Sequence, residues 1–315
     1  MKKRKFGNSN LKVSQLGLGC MGMSEFYGNQ SEEESIKVIH YAIDNGINFF
    51  DTADMYGPWT NEILLGKVLK EKRDQCIIAT KFGVMRGKDG SYLGLNGKPE
   101  YVKQACEASL KRLGVDCIDL YYLHRVDPNT PIEKTVGAMA DLVKEGKVKY
   151  IGLSEISEEE IRRAHAVHPI TAIQNEYSLW SHELDPVMSV CRELNIAMVP
   201  YSPLGRGFLS GKYKSLDDFK EGDFRTVNPR FSKENFENNL KIVEKVEEIA
   251  KLKSVTPAQI ALAWVLSKGD DIFPLTGTKR IKYLQENIES INVKLEKGEI
   301  ELLDKLNILV SGERY

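Results

Sequence analysis

A carboxylate and a phenol lie close together where an apolar segment of the chain ends. The run Ile47-Asn48-Phe49-Phe50 is typical of a buried strand; it stops at Asp51, and Tyr56 follows five residues later. At a strand end this pair could share a site and transfer protons, provided that a cation lowers the pKa of the phenol from its ordinary value of about 10. Aspartate and glycine are also common turn residues, and taken alone the segment 51–57 favours an ordinary turn.

Capped helices alternate with short apolar segments along the chain, which is the pattern of a parallel sheet covered by helices on both faces. Capping sequences at Ser31, Thr130, Ser157 and Thr256 predict helix starts. Eight apolar segments are predicted as strands: 15–18, 47–51, 77–81, 118–123, 150–153, 171–174, 197–201 and 271–275. Together they predict an α/β fold with one domain over residues 1–315, a closed (β/α)8 or TIM barrel; a doubly wound open sheet is the alternative.

Three segments lie outside this repeat. Residues 1–13 are expected to form a short N-terminal hairpin, residues 202–235 a long polar loop after the seventh strand, and residues 296–309 an extra C-terminal helix. The loop is longer than a connection between two elements requires, so we expect it to have a function.

Titratable side chains end three consecutive predicted strands. After Asp51, Lys81 ends the third strand and His124 follows the fourth. The carboxyl ends of the strands of a (β/α)8 barrel converge on one face, so these residues and Tyr56 would share a cleft. Each could separately be a solvated rim residue, but three in succession after apolar strands favour a site.

The four side chains together suit the protonation of an oxygen that becomes an alkoxide. Lys81 would stabilise the phenolate of Tyr56 and so ease the donation of its proton, while Asp51 would keep the lysine charged and in place. His124 would donate a hydrogen bond to a carbonyl oxygen. Because no side chain can supply a hydride, carbonyl reduction would need a nicotinamide cofactor.

Two glycine-containing segments are candidates for binding such a cofactor. Gly277-Thr278-Lys279-Arg280 is predicted to open the eighth helix, and a helix N-terminus with threonine, lysine and arginine is a phosphate site. Its two adjacent cations would favour the 2'-phosphate of NADPH over NADH. Gly17-Leu18-Gly19-Cys20-Met21-Gly22 matches the dinucleotide motif literally, but the next helix starts only at Ser31, so its glycines do not open a helix. We expect them to form a turn or to let the backbone approach a ligand.

Composition argues against several other classes of function. The 315 residues carry a net charge of -1, which gives no reason to expect nucleic acid or an anionic membrane as a partner. No apolar run approaches the ~20 residues of a membrane span. The five cysteines show no CxxC spacing and the histidines form no ligand pattern, so no metal is expected. A reducing cytoplasmic location fits these cysteines.

These and further motifs make the sequence resemble the aldo-keto reductase superfamily over nearly its whole length, and within it a branch of broad-range bacterial and plant aldehyde reductases. The motifs are Leu16-Gly17-Leu18-Gly19, Asp51-Thr52-Ala53-Asp54-Met55-Tyr56-Gly57, Leu123-His124-Arg125-Val126-Asp127-Pro128, Ile151-Gly152-Leu153-Ser154-Glu155, Gln174-Asn175-Glu176-Tyr177, Tyr201-Ser202-Pro203-Leu204-Gly205-Arg206-Gly207 and Gly277-Thr278-Lys279-Arg280. The resemblance implies a (β/α)8 barrel that binds NADP(H), with Asp51, Tyr56, Lys81 and His124 as a catalytic tetrad and Tyr56 as the general acid.

The resemblance also implies which residues surround the cofactor. Tyr201 would stack on the nicotinamide, and Ser154 and Gln174 would hold its carboxamide. The loop from Ser202 to Gly211 would cover the pyrophosphate, and the adenosine-phosphate end would be bound by Lys279, Arg280, Gln285 and Asn287. The complete set of predicted cofactor contacts is Gly22, Met23, Asp51, Ser154, Gln174, Tyr201, Ser202, Pro203, Leu204, Gly205, Arg206, Gly211, Gly277, Thr278, Lys279, Arg280, Gln285 and Asn287.

Three residues depart from the family pattern. Glu155 stands where many members carry asparagine, which puts a carboxamide contact by this residue in doubt. Tyr283 stands where some members carry arginine, so Arg280 would take more of the contact with the 2'-phosphate. Thr276 replaces a common proline.

The predicted function is the NADPH-dependent reduction of a small-molecule carbonyl substrate, an aldehyde in the first place, with ketones as a second candidate. The alternatives are a non-catalytic, NADPH-binding regulatory subunit of the same fold and another barrel enzyme such as an isomerase. Four aromatic residues are candidates for lining the substrate pocket, although each could also pack within a loop: Tyr27, Trp59, Tyr92 and Tyr177.

Overall fold

The computed structural model describes residues 1–28, 30–219 and 222–315. The chain begins with two antiparallel strands, β1 (Lys3–Lys5) and β2 (Lys12–Ser14), which form the expected hairpin. Phe6 in its turn is fully buried, with its ring centroid 5.5 Å from that of Phe49 and 4.9 Å from that of Phe273. Because Phe49 begins a central strand, the hairpin covers the N-terminal ends of the strands.

Eight parallel strands form the centre of the molecule. The strands that follow the first hairpin are β3 (Gly17–Gly19), β4 (Phe49–Asp51), β5 (Ile77–Phe82), β6 (Val84–Arg86), β7 (Tyr92–Leu95), β8 (Ile118–Leu123), β9 (Val148–Ser154), β10 (Ala172–Gln174), β11 (Ala197–Met198) and β12 (Leu275–Gly277). The central sheet has the order β12-β3-β4-β5-β8-β9-β10-β11, while β6 and β7 form a separate antiparallel hairpin. The two ends of the sheet are joined by a parallel bridge between Met198 and Ile272 and by a 2.8 Å hydrogen bond from Leu275 N to Pro200 O. The sheet is therefore closed, as the predicted (β/α)8 barrel requires.

Helices surround this barrel. Those of the described residues are α1 (Glu32–Asp44), α2 (Thr60–Leu69), α3 (Pro99–Leu113), α4 (Ile132–Lys144), α5 (Glu158–Val167), α6 (Asp185–Glu193), α7 (Lys233–Lys253), α8 (Pro257–Leu266), α9 (Ile281–Glu289) and α10 (Lys297–Leu303). Ser31, Ser157 and Thr256 cap their helices by accepting a hydrogen bond from a backbone N–H, as predicted. The predicted cap at Thr130 is wrong: its hydroxyl donates to Asp127 Oδ2 at 2.8 Å, and Pro131 takes the N-cap position. In the described part of the chain, no helix is both long and apolar enough to cross a membrane.

The structure differs from the sequence prediction in several connections. The last strand begins at Leu275 instead of residue 271, because Pro274 has no N–H to donate and interrupts the ladder before it. The hairpin of β6 and β7 was not predicted. The extra helix predicted at 296–309 divides into α10 and a 3-10 turn at Leu306–Leu309. The long loop after β11 ends where α7 begins, and residues 220 and 221 of the predicted loop lie outside the described residues.

The interior of the barrel is filled with side chains. Tyr122 on β8 is fully buried there, beside Gly152 on β9. A Cβ atom at Gly152 would lie 2.4 Å from Cε1 of Tyr122 and 2.8 Å from the carbonyl oxygen of Ala172, so only glycine leaves room for the tyrosine ring. Since the interior is a packed core, a ligand has to bind at an end of the barrel.

Candidate active site

Asp51, Lys81 and Tyr56 form a buried cluster at the carboxyl ends of two adjacent strands. Asp51 ends β4 and Lys81 lies in β5, its parallel neighbour. The Lys81 side chain is 0% exposed and that of Asp51 is 4% exposed, and their ammonium and carboxylate groups form an ion pair. The ammonium also donates to the carbonyl oxygen of Thr52 at 2.8 Å and to Tyr56 Oη at 3.4 Å. Gln174 Nε2 donates to the second carboxylate oxygen of Asp51 at 2.9 Å, which fixes its orientation.

Burial keeps the phenol of this cluster protonated, and the groups beside Lys81 keep the lysine charged. Burial by itself lowers the pKa of Lys81, but Asp51 and Tyr56 outweigh this and hold it above its ordinary value. Burial raises the pKa of Tyr56, and Lys81 offsets only part of that rise. Tyr56 is therefore a phenol at neutral pH that has a cation beside it to stabilise the phenolate after proton transfer.

His124 adds a hydrogen-bond donor next to the phenol. It follows β8, and its ring lies edge-on to the Tyr56 ring with 5.8 Å between the centroids. Burial and then the positive charges of Lys81 and Arg125 hold its pKa well below 6.5, so the imidazole is neutral at neutral pH. A neutral imidazole has one N–H to donate and one nitrogen to accept. Nδ1 is buried and has no hydrogen-bond partner among the described residues.

A cavity of about 1790 Å³ opens above this cluster. Ligand pockets for drug-sized molecules typically have volumes of about 300–1,000 Å³, so the cavity has room for a dinucleotide together with a substrate. The predicted site residues that line it are Gly22, Tyr27, Asp51, Tyr56, Tyr92, His124, Ser154, Gln174, Tyr201, Ser202, Pro203, Leu204, Arg206, Gly277, Thr278, Lys279, Arg280 and Asn287. Residues from many separate segments thus meet on one surface.

Seven predicted site residues do not line this cavity. Lys81 lies behind Tyr56 and acts on it from there. The other six are Met23, Trp59, Tyr177, Gly205, Gly211 and Gln285. Tyr177 was predicted to line the substrate pocket, but it is buried: its ring stacks on Trp264 with 5.1 Å between centroids, and its hydroxyl donates to Asp185 Oδ1 at 2.7 Å.

Of the other five residues that do not line the cavity, three have packing or backbone roles. Met23 is buried in the hydrophobic core, and a Cβ atom on Gly205 would lie 2.6 Å from the Trp180 ring. Gly211 follows a 3-10 turn with a φ of 71°, a conformation that glycine adopts without strain. Gln285 Nε2 donates to Glu289 on the exposed side of α9. Trp59 forms the N-cap of α2.

Cations gather at the end of the cavity formed by β12 and α9. Arg280 is the N-cap residue of α9, and its backbone N–H is bound to Thr278 Oγ1 at 3.2 Å. Lys279 Nζ donates to the carbonyl oxygen of Tyr27 across the cavity at 2.5 Å. Lys212 and Arg225, from the long loop, line the same cavity but were missed in the sequence. The only signal for them was the length of that loop, since basic residues are common on any protein surface.

Glu155 has a structural role that the sequence did not reveal. Its Oε1 accepts the backbone N–H of Glu176 at 3.0 Å, and its Oε2 accepts Arg314 Nη2 at 2.6 Å. Burial raises the pKa of Glu155, but these donors outweigh the effect and hold it below its ordinary value. The ion pair fastens the segment 310–315, and within that segment Tyr315 reaches the cavity, with its Oη 3.0 Å from Tyr201 Oη.

In the part of the chain described by the structure, no group of three or more histidine, cysteine, aspartate or glutamate side chains is arranged to hold a metal ion.

Comparison with known proteins decides which family has this arrangement. The model of the aldo/keto reductase family matches residues 15–308. The chain belongs to the aldo/keto reductase family. Aldo-keto reductase yakc of Schizosaccharomyces pombe, whose name carries NADP(+), is 49% identical over 320 residues, covering 99% of this chain and 94% of that protein. Probable aldo-keto reductase 1 of Glycine max is 49% identical over 316 residues, covering 99% and 91%.

Solved structures of the family share the fold. A glycerol dehydrogenase from Gluconobacter oxydans superimposes with a TM-score of 0.88 at 26% identity, covering 97% of this chain and 94% of that one. The holo form of an aldo-keto reductase from Bacillus halodurans gives a TM-score of 0.78 at 26% identity, covering 100% and 98%. As a member of the aldo/keto reductase family, the chain is an oxidoreductase, and the (β/α)8 barrel is its family fold.

Proposed function

We propose that this aldo/keto reductase uses NADPH to reduce aldehydes to alcohols, with ketones as a second class of substrate, and that Tyr56 is its general acid. The observation that carries the proposal is the 3.4 Å contact between Lys81 Nζ and Tyr56 Oη, in a buried cluster that also contains Asp51. A protonated phenol with a fixed cation behind it is suited to give up a proton to an alkoxide.

The hydrogen-bond donors that line the cavity, as well as its volume, suit a dinucleotide that carries a 2'-phosphate. Lys279 and Arg280, at the start of α9, would bind the 2'-phosphate. Tyr201 would stack on the nicotinamide, and the Ser154 hydroxyl and the Gln174 side-chain carbonyl would bind its carboxamide. The relative from Schizosaccharomyces pombe that carries NADP(+) in its name supports the choice of this cofactor.

When bound, NADPH would supply the hydride that no side chain can provide. His124 would donate a hydrogen bond to the carbonyl oxygen and hold it near Tyr56. As the carbonyl carbon gains the hydride, Tyr56 Oη would give its proton to that oxygen, so that the carbonyl becomes an alcohol. Lys81 would stabilise the phenolate until Tyr56 regains a proton from solvent, and Asp51 would keep Lys81 in position.

The experiment replaces Tyr56 by phenylalanine and follows NADPH absorbance with a simple aldehyde. Loss of the general acid is expected to lower kcat by roughly 10²–10⁴-fold, while NADPH binding measured by fluorescence stays nearly unchanged. Tyr177→Phe is the matched control, because it removes a buried hydroxyl that does not line the cavity, and its kcat should resemble that of the wild type.

Two results would contradict the proposal. Full activity of Tyr56→Phe would remove Tyr56 as the acid. A wild-type protein that binds NADPH but turns over no aldehyde or ketone would instead favour the non-catalytic regulatory subunit of the same fold.

The choice of NADPH over NADH has its own test. Arg280→Ala should weaken NADPH binding roughly ten- to a hundredfold, the size of a lost hydrogen bond to a charged group, and should affect NADH much less. Lys282→Ala is the control, because Lys282 is exposed on α9 and does not line the cavity. Equal losses for the two cofactors in Arg280→Ala would show that Arg280 does not bind the 2'-phosphate.

A further inference from the structure

Arg125 lines the cavity, and hydrogen bonds hold its guanidinium in position through only one of its three nitrogens. It follows His124 directly, and it lines the cavity together with Tyr56 and His124. Its Nη1 donates to the carbonyl oxygen of His124 at 2.6 Å and to Ser154 Oγ at 3.3 Å. Among the described residues these are the only hydrogen bonds of this guanidinium, so Nε and Nη2 remain available to a ligand.

The surrounding arginines are neutralised by acids, and Arg125 is not. Arg206 pairs with Glu176 at 3.2 Å and Arg314 with Glu155 at 2.6 Å. By contrast, no carboxylate of the described residues lies within 4.0 Å of the Arg125 guanidinium. Glu155, the acid whose charge influences Arg125, is already engaged by Arg314 and by a backbone N–H.

The position of Arg125 separates it from the phosphate end of the cavity. In the closed order of the sheet, β8 is four strands away from β12 in either direction, so Arg125 and the Lys279–Arg280 pair follow opposite strands of the barrel. Arg125 directly follows His124, whose ring centroid lies 5.8 Å from that of Tyr56. The Arg125 charge acts on Tyr56, so this cation belongs to the end of the cavity that holds the candidate general acid.

We propose that Arg125 binds an anionic group of the substrate, so that the preferred substrates are carbonyl compounds that also carry a carboxylate or a phosphate. The proposal rests on the proposed function, since it names the substrate class of that same site. The free edge of this planar guanidinium, formed by Nε and Nη2, matches the paired oxygens of such anions. Pairing with an anion would also supply the negative charge that no carboxylate of the described residues places within 4.0 Å of the guanidinium.

The test compares pairs of related aldehydes in which one member carries an anionic group and the other is neutral. 4-Formylbenzoate is compared with its methyl ester, ω-carboxy aliphatic aldehydes of increasing length with their methyl esters, and glyceraldehyde 3-phosphate with glyceraldehyde. For each pair the ratio of kcat/KM, charged over neutral, is measured with NADPH for the wild type, Arg125→Gln and Arg125→Lys.

The wild type should prefer the charged member of at least one pair roughly ten- to a hundredfold, which is the size of a hydrogen bond to a charged group. Arg125→Gln should bring that ratio close to one, and Arg125→Lys should restore part of it, because lysine keeps the charge but not the planar fork. The pair with the largest ratio distinguishes a carboxylate from a phosphate, and the best chain length reports how far the anion lies from the carbonyl.

The ratio also distinguishes substrate binding from a structural role. If Arg125 only held His124 and Ser154 in place, Arg125→Gln would lower kcat/KM for both members of a pair equally and leave the ratio unchanged, which would overturn the proposal. A wild-type ratio near one for every pair, or a loss in Arg125→Gln confined to the KM for NADPH, would overturn it as well. Turnover of the neutral aldehydes would in each case leave the proposed function standing, so the two proposals fail separately.

Discussion

Replacing Lys81 by methionine probes the charge pair on which the site depends. Methionine keeps an apolar stem of similar length, but it removes the ammonium and its bonds to Asp51, Thr52 and Tyr56. The Asp51 carboxylate, 4% exposed, would keep only the 2.9 Å hydrogen bond from Gln174. Breaking a buried ion pair by removing one partner costs about 3–5 kcal/mol, and we expect the lower part of this range because Gln174 remains.

The free energy of unfolding that Lys81→Met loses should increase with pH. Without Lys81, burial raises the pKa of Asp51 in the folded state with no cation to oppose it. A carboxyl group whose pKa is raised by folding favours the folded state at low pH, and that contribution is lost as the pH rises through the folded-state pKa. The deficit of Lys81→Met relative to the wild type should therefore be smaller at pH 5 than at pH 8.

The assay is urea denaturation followed by far-ultraviolet circular dichroism at both pH values. Asp51→Asn/Lys81→Met is the matched variant, because it removes both charges; it should recover most of the lost free energy of unfolding and show little pH dependence. A cost below about 1 kcal/mol at pH 8, or an equal cost at both pH values, would refute the buried charge pair. So would a double variant as unstable as the sum of the two single ones.

Three further outcomes are expected. Gly152→Ala should lower the free energy of unfolding by about 1–3 kcal/mol, because the new Cβ would lie 2.4 Å from an aromatic carbon inside the barrel. The control is Gly298→Ala, which has open space around it and should change the free energy of unfolding by less than about 1 kcal/mol. Similar melting temperatures for the two variants would contradict the packed interior. Removal of either charge of the Glu155–Arg314 pair should loosen the segment 310–315, seen as faster hydrogen exchange there, and a double-mutant cycle that gave no coupling would show that the pair does not fasten it. The pH profile of kcat/KM should show no ionisation near 6.5, because burial and neighbouring cations hold the pKa of His124 well below that value; a break near 6.5 would mean that the imidazole is not shielded in this way.

The parts of the site that the sequence predicted are those fixed by chain direction in a parallel barrel. Asp51 ends its strand, Lys81 is the last residue but one of the next strand, and His124 follows the third; parallel closure brings such positions to one face. Helix caps at Ser31, Ser157 and Thr256 could be predicted because a cap is a contact between residues three apart. The cofactor assignments of Tyr201 and its neighbours came from family resemblance, and their roles remain predictions.

The errors occurred where a side chain had a choice of partners, nearby in the chain for Thr130 and also far from it for Tyr177. Tyr177 comes three residues after a strand end and was assigned to the substrate pocket, yet Asp185 and Trp264 draw it into the layer beneath helix α8. Thr130 was assigned to a helix cap, but its hydroxyl donates to Asp127 Oδ2 and Pro131 takes the N-cap position. In both cases the local pattern was compatible with two positions, and packing selected one.

The sequence by itself determined the order of the eight barrel strands, the residues near the strand ends and the chemistry available to Tyr56. Only the tertiary structure decided which groups are paired. It joins Arg314 to Glu155, 159 residues away, and brings Tyr315 to Tyr201, 114 residues away. It also leaves Arg125 without an acid among the described residues. The physical reason is that periodicity and capping act over a few residues, whereas the partner of a buried charge depends on closure of the whole barrel, which no short stretch of sequence encodes.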